Sequence, residues 1–222
     1  MKILAIETSG HACGAAVAED GRIVSEIYLD DSFTHSTKLM PMVDEALKLA
    51  GTDISEIELF AVTTGPGSFT GLRIGLCTVK GMAQALDKKI AANTSLEVLA
   101  KASAADDVTV MVDARNENVY AARYVGGKLF AESTGRYDDM IKTLGASEKM
   151  VFAGDGAENL REKIKEIIPG AVFAGNAFKY PRAGISAVLA FEKYEKGETV
   201  SPDELEANYM RPSQADRLKN RD

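Results

Sequence analysis

The segment Thr63-Thr64-Gly65-Pro66-Gly67-Ser68-Phe69-Thr70-Gly71-Leu72-Arg73-Ile74-Gly75 joins an apolar strand pattern, Leu59–Thr64, to a long helical pattern, Thr70–Leu86. A buried strand that enters a helix through a Gly-rich loop belongs to the α/β class, because helix and strand must cover each other. Such a loop is an anion site in principle, since unpaired N–H groups and the helix dipole point out of it. Yet it lacks the lysine of GxxxxGK[ST], and no GxGxxG followed by an acid occurs, so phosphate binding here is not expected. In the helix, Leu72, Leu76, Val79, Ala83 and Leu86 form one apolar stripe for the core. Beside it run Gly71, Gly75, Thr78, Met82 and Ala85, mostly small. This second face is expected to admit a partner helix, with Gly75 at the centre of the contact.

The order of elements points to a duplicated unit. Three strand patterns open the chain, Lys2–Glu7, Ala12–Ala18 and Arg22–Leu29, with Asp20-Gly21 as a turn. A helix from Ser36 to Ala50, a strand at Ile90–Ala92 and a helix at Leu96–Ala104 complete the first half. The second half begins alike: a strand at Val108–Asp113, then Val119–Val125 and Leu129–Glu132 paired across Gly126-Gly127. A strand at Met150–Ala153, Gly154-Asp155-Gly156, a helix at Glu158–Ile168 and an amphipathic helix at Ile185–Tyr194 follow. Two α/β lobes are expected, residues 1–104 and 105–222. No Pro- or Gly-rich linker separates them, so they should pack closely.

A net charge of -7 over 222 residues argues against a chain that grips nucleic acid by neutralising phosphates. The one locally basic stretch, the C-terminal tail with Arg211, Arg217, Lys219 and Arg221, reads first as a solvated end, with contact to RNA as the alternative. Cys13 and Cys77 are too few for a disulfide framework and are not spaced as metal ligands, which suits the cytosol. The N-terminus has no signal-like core, and charged residues interrupt every apolar helical stretch, so neither export nor a membrane span is expected.

Few residues offer chemistry. His11 and His35 are the two histidines, and Leu39 stands four residues after His35, so no i, i+4 metal pair exists. Neither cysteine has a visible activating partner, and Asp113-Ala114-Arg115 is an acid and base beside a strand end that a local ion pair explains at least as well as a functional role. On the Ser36–Ala50 helix the apolar residues, including Met40, Met42 and Leu47, span about half the circumference, more than the roughly 100° of a one-sided surface helix. Such a face suits an adaptable contact surface. Glu7, Thr8 and Ser9 end the first strand with the layout of the first phosphate loop of the actin, sugar kinase and heat-shock ATPase superfamily. Active members commonly place an Asp at that turn, so the loop reads here as degenerate.

The runs Ile3–Ser9, Thr63–Gly75, Asp113-Ala114-Arg115 with Val119-Tyr120, and Tyr209-Met210-Arg211 resemble, end to end, the TsaB (YeaZ) family. The resemblance implies an actin-like fold of two lobes and a part in forming N6-threonylcarbamoyladenosine beside the anticodon of tRNAs that read codons beginning with A. It implies a non-catalytic subunit that binds the catalytic paralogue TsaD, joined by the ATPase TsaE, with tRNA met through the complex and a homodimer when alone. The interface would use the first two helices of the first lobe: Met40, Met42, Leu47, Gly71, Gly75, Thr78 and Met82. No cofactor is implied for the chain alone, with ATP or ADP allowed at the interface of the complex. The competing expectation is a stand-alone enzyme, a small-molecule kinase or a peptidase.

Overall fold

A computed structural model describes residues 1–31, 35–145 and 150–210. Strands β1 (Lys2–Glu7), β2 (Cys13–Glu19) and β3 (Arg22–Leu29) form an antiparallel meander, followed by helix α1 (His35–Ala50). Strand β4 (Leu59–Gly65), helix α2 (Phe69–Leu86) and strand β5 (Lys89–Thr94) come next, with β4 and β5 parallel to β1. The sheet order is β3-β2-β1-β4-β5. Helix α3 (Ser95–Ser103) leads into β6 (Asp107–Asp113), β7 (Asn118–Val125), β8 (Lys128–Arg136), α4 (Tyr137–Leu144) and β9 (Val151–Ala153). Two short helices, α5 (Asp155–Asn159) and α6 (Arg161–Ile167), then β10 (Val172–Phe173) and α7 (Ala183–Glu195), follow.

The second sheet runs β10-β9-β6-β7-β8, with the same meander and the same parallel additions as the first. Duplication, read in the sequence from two similar openings, is therefore carried through all five strands of each sheet. The helix expected over Glu158–Ile168 is instead two helices, broken at Leu160. It also starts earlier, at Asp155, whose carboxylate accepts the Gly156 N–H at 2.9 Å.

In the first sheet, alternate residues face opposite sides, as the strand period requires. Leu4, Ile6, Val17, Phe60 and Val62 meet α1 and α2, which lie side by side. Ile3, Ala5, Ala16, Ala18, Ala61 and Ala91 meet Ala183, Ala187 and Ala190 of α7. Alanines on both sides let helix and sheet approach closely, and Arg182 fixes the helix start by a forked pair with Glu26, 2.9 and 3.1 Å long. The second sheet is covered on one face by α4, α5 and α6. Its other face is covered by α3, through Leu96, Leu99 and Ala100 against Val108, Val110 and Val112.

A division at residue 104 thus cuts the chain where the sheets divide, but the helices do not respect it. Helix α3, from the first half, packs on the second sheet, and α7, from the second half, packs on the first. The expected lobe 105–222 is corrected accordingly: its residues 183–209 return to the first sheet. The two exchanged helices touch, joined by the pair Lys101–Glu192 at 2.6 Å and by Lys193, which reaches Glu97 at 2.5 Å and the Ala92 carbonyl at 2.6 Å. This exchange is the physical reason the lobes pack closely without a flexible linker.

Candidate functional site: the turn after the first strand and the outer face of the second helix

Glu7, Thr8 and Ser9 are brought together and buried at the end of β1. Burial pushes the Glu7 carboxyl above the usual carboxylate range, against the hydrogen bonds it accepts. Those bonds come from the Ser9 backbone N–H at 2.6 Å and the Thr63 hydroxyl. Thr8 donates its hydroxyl to the Gly71 carbonyl at 2.8 Å, and the Ser9 carbonyl accepts the Ser68 N–H at 2.7 Å. Ser68 also caps α2, accepting the Gly71 N–H at 3.2 Å. The Glu7 carboxylate is thus spent on the turn and on β4, and the Thr8 hydroxyl and Ser9 carbonyl hold the turn against the start of α2, while the buried Ser9 hydroxyl makes no hydrogen bond among the described residues.

The glycines of that loop explain how the chain fits. A methyl group at Gly67 would lie 2.2 Å from the Ser9 carbonyl oxygen, one at Gly71 would lie 2.1 Å from the Thr8 carbonyl oxygen, and one at Gly75 would lie 2.3 Å from the Thr8 hydroxyl. Gly71 and Gly75 are buried. Their missing side chains admit the chain's own first strand. This corrects the expectation that they stand open for a partner helix.

Other expected interface residues divide. Met42 and Leu47 are buried in the first lobe's core, because α1 turns that side to β2 and β3. Met40 is 44 % exposed and Leu49 is 61 % exposed, and they flank that buried side of α1 on its two opposite edges. Thr78 is half-buried and donates to the Ile74 carbonyl at 2.8 Å, while half-buried Met82 packs on the core. The outward line of α2 is Phe69, Arg73, Cys77 and Gly81, at a spacing of four. A side chain at Gly81 would meet nothing within 4 Å. Sequence reasoning missed Gly81 because one isolated glycine carries less pattern than the pair at 71 and 75.

The remaining candidates are distributed. His11 pairs with Asp30 at 2.8 Å and stacks on Tyr180, and the His35 ring meets the Gly10 carbonyl at 3.0 Å. Cys13 is buried, its thiol pushed up to about 11 mainly by desolvation, and Cys77 is exposed. Among the described residues no group of three or more His, Cys, Asp or Glu is placed to hold a metal ion. Asp113 accepts the Arg115 backbone N–H at 2.7 Å, so the contact seen is to the turn's backbone where an ion pair was expected. Asp155, which the sequence presented only as part of a glycine turn, ties β6 to α5 by accepting the Asp113 and Gly156 N–H groups at 3.0 and 2.9 Å. Its carboxyl is pushed up to about 6 by desolvation and by Asp113, with Lys179 opposing. Arg211, Arg217, Lys219 and Arg221 lie outside the described residues, and among those described no helix is long and apolar enough to cross a membrane.

The family model of TsaD, tRNA N6-adenosine threonylcarbamoyltransferase, matches residues 29–215. The "tRNA threonylcarbamoyladenosine biosynthesis protein TsaB" of Bacillus subtilis (strain 168) is 31 % identical over 228 residues, covering 97 % of this chain and 96 % of that one. The chain belongs to the TsaB (YeaZ) family. The solved structure of YeaZ from Pseudomonas aeruginosa superposes on it with a TM-score of 0.81 at 28 % identity, over 94 % of this chain and 99 % of that one. The TsaB-type actin-like fold expected from the motifs is thus the fold found. Part of the chain also resembles a transferase: tRNA N6-adenosine threonylcarbamoyltransferase of Borreliella burgdorferi (strain ZS7) is 41 % identical over 105 residues, 40 % of this chain and 30 % of that one.

Proposed function

We propose that this chain serves N6-threonylcarbamoyladenosine formation in tRNA as a non-catalytic subunit that binds a TsaD-type transferase through the outer faces of α1 and α2. The observation that carries this reading is the outward line of α2. Phe69, Arg73, Cys77 and Gly81 form an exposed ridge that narrows to bare backbone. A partner of the same fold, carrying a similar helix pair, fits such a surface by close backbone approach. The use of the Glu7 carboxylate, the Thr8 hydroxyl and the Ser9 backbone in internal contacts supports a subunit whose own cleft is not the seat of chemistry. In this reading a TsaE-like ATPase completes the assembly, tRNA and ATP or ADP meet the complex rather than the isolated chain, and the same face forms a homodimer when the partner is absent.

Gly81→Leu tests the docking face. The position is open and helical, and Leu favours helix over Gly by up to ~1 kcal/mol, so the melting temperature should hold or rise. The new side chain should hold the partner helix away, a loss of ~2 kcal/mol or more, at least roughly thirtyfold in affinity. Titration calorimetry against the transferase reads the effect, and unchanged affinity would place the interface elsewhere.

A further inference from the structure

We infer that Tyr209, from the far end of the chain, completes the docking face of α2 by forming with Phe69 and Arg73 a prebuilt contact point for the partner. This rests on the docking reading above and adds a residue that neither helix contains. After α7 the chain crosses the open edge of the first sheet, where Val200 exchanges two backbone bonds of 2.9 Å with Ile90. Leu205 is then buried in the first core, and the Asn208 N–H donates to the Thr64 carbonyl at 2.8 Å. The Asn208 carbonyl lies so close to Gly65 that a methyl group there would meet it at 2.6 Å.

A backbone this firmly anchored delivers an aromatic side chain that remains 43 % exposed. The Tyr209 ring lies 4.8 Å from Phe69, itself 38 % exposed, and its hydroxyl oxygen is 3.3 Å from Arg73 Nε. The Arg73 guanidinium in turn covers the Phe69 ring at 4.0 Å. Each side chain holds the others in place, so a partner that lands on them has little ordering entropy left to supply. Tyrosine and arginine in a fixed arrangement are the residues most often found to dominate protein contacts. Phe69 and Arg73 continue without a break into Cys77 and Gly81, so the cluster forms one end of the proposed helix-docking ridge. The aromatic faces could also stack a base, but a chain of net charge -7, with the Arg73 guanidinium already laid over Phe69, favours a protein occupant over RNA.

The test titrates the TsaD-type transferase into the full-length chain and its Tyr209→Ala, Tyr209→Phe and Arg73→Ala variants, with melting curves in parallel. Tyr209→Ala and Arg73→Ala should each weaken binding at least roughly tenfold without lowering the melting temperature, while Tyr209→Phe, which keeps the ring, should lose little. Wild-type chain that fails to bind the transferase overturns the docking reading and this inference together. Wild-type binding with unchanged affinity in both alanine variants overturns the inference alone. If Tyr209→Ala melts early, the exposed Arg73→Ala decides by itself. A parallel titration with a tRNA anticodon stem-loop covers the other occupant: loss of RNA affinity with transferase affinity intact would also overturn it.

Discussion

Gly71→Ala is expected to destabilise the protein although it replaces glycine by alanine inside a long helix. In an open helix that change would gain up to ~1 kcal/mol, because alanine has the less mobile unfolded backbone. Here the added methyl lands 2.1 Å from the Thr8 carbonyl oxygen, a backbone atom of the buried turn directly after β1 that cannot move without the chain around it. Overpacking of this kind costs ~3 kcal/mol, which leaves a net loss of ~2 kcal/mol and a melting temperature lower by about 4–8 °C for a chain of this size. Gly75→Ala separates the two kinds of obstruction, since its methyl meets the Thr8 hydroxyl rather than backbone. It should therefore be destabilising in the native background and milder in a Thr8→Ala background, whereas Gly71→Ala should gain no such relief. Calorimetric melting of Gly71→Ala, Gly75→Ala, Thr8→Ala and the two doubles that contain Thr8→Ala gives the coupling. A Gly71→Ala protein that melts at or above the wild type would mean that β1 does not lie against α2 as described.

Asp155→Asn is expected to stabilise the protein near neutral pH and to remove part of its pH dependence. The Asp155 carboxyl is held at about 6 against 3.8 in the unfolded chain, chiefly by desolvation and secondarily by the like charge of Asp113. Between these values the folded state keeps a proton that the unfolded state has released. Stability from this group is therefore fully present below about pH 4 and falls as pH rises to about 6, where the cost of the charged form is complete. That cost is up to ~3 kcal/mol. Asparagine keeps an oxygen for the Asp113 and Gly156 N–H groups and never ionises. The variant should then exceed the wild type in urea midpoint at pH 7 and match it near pH 4. An advantage that is the same at both values would show that charge at this position is not the cause.

Much of this protein was determined by local sequence alone. Strands alternate between two buried faces, Asp20-Gly21 and Gly126-Gly127 close the hairpins, and Ser68 and Thr94 cap their helices, so the α/β elements and their duplication follow from short-range chemistry. The core stripe of α2 was equally legible, since Leu72, Leu76, Val79 and Ala83 are large or apolar enough to have one destination. What only the tertiary structure decided is where the small residues face. Gly71, Gly75 and Gly81 are alike in sequence, and all three permit close backbone approach. Two of them are filled by Thr8 from sixty-odd residues away, and the third is left open. The alanines of α7 are ambiguous for the same reason: a side chain of one carbon carries little hydrophobic signal of its own. It becomes core only because Ala5, Ala16 and Ala61 stand opposite it on the first sheet. Tyr209 completes the contrast, because the exposure of its ring beside Phe69 is set by the anchoring of Leu205 and Asn208 to a sheet built from the other end of the chain.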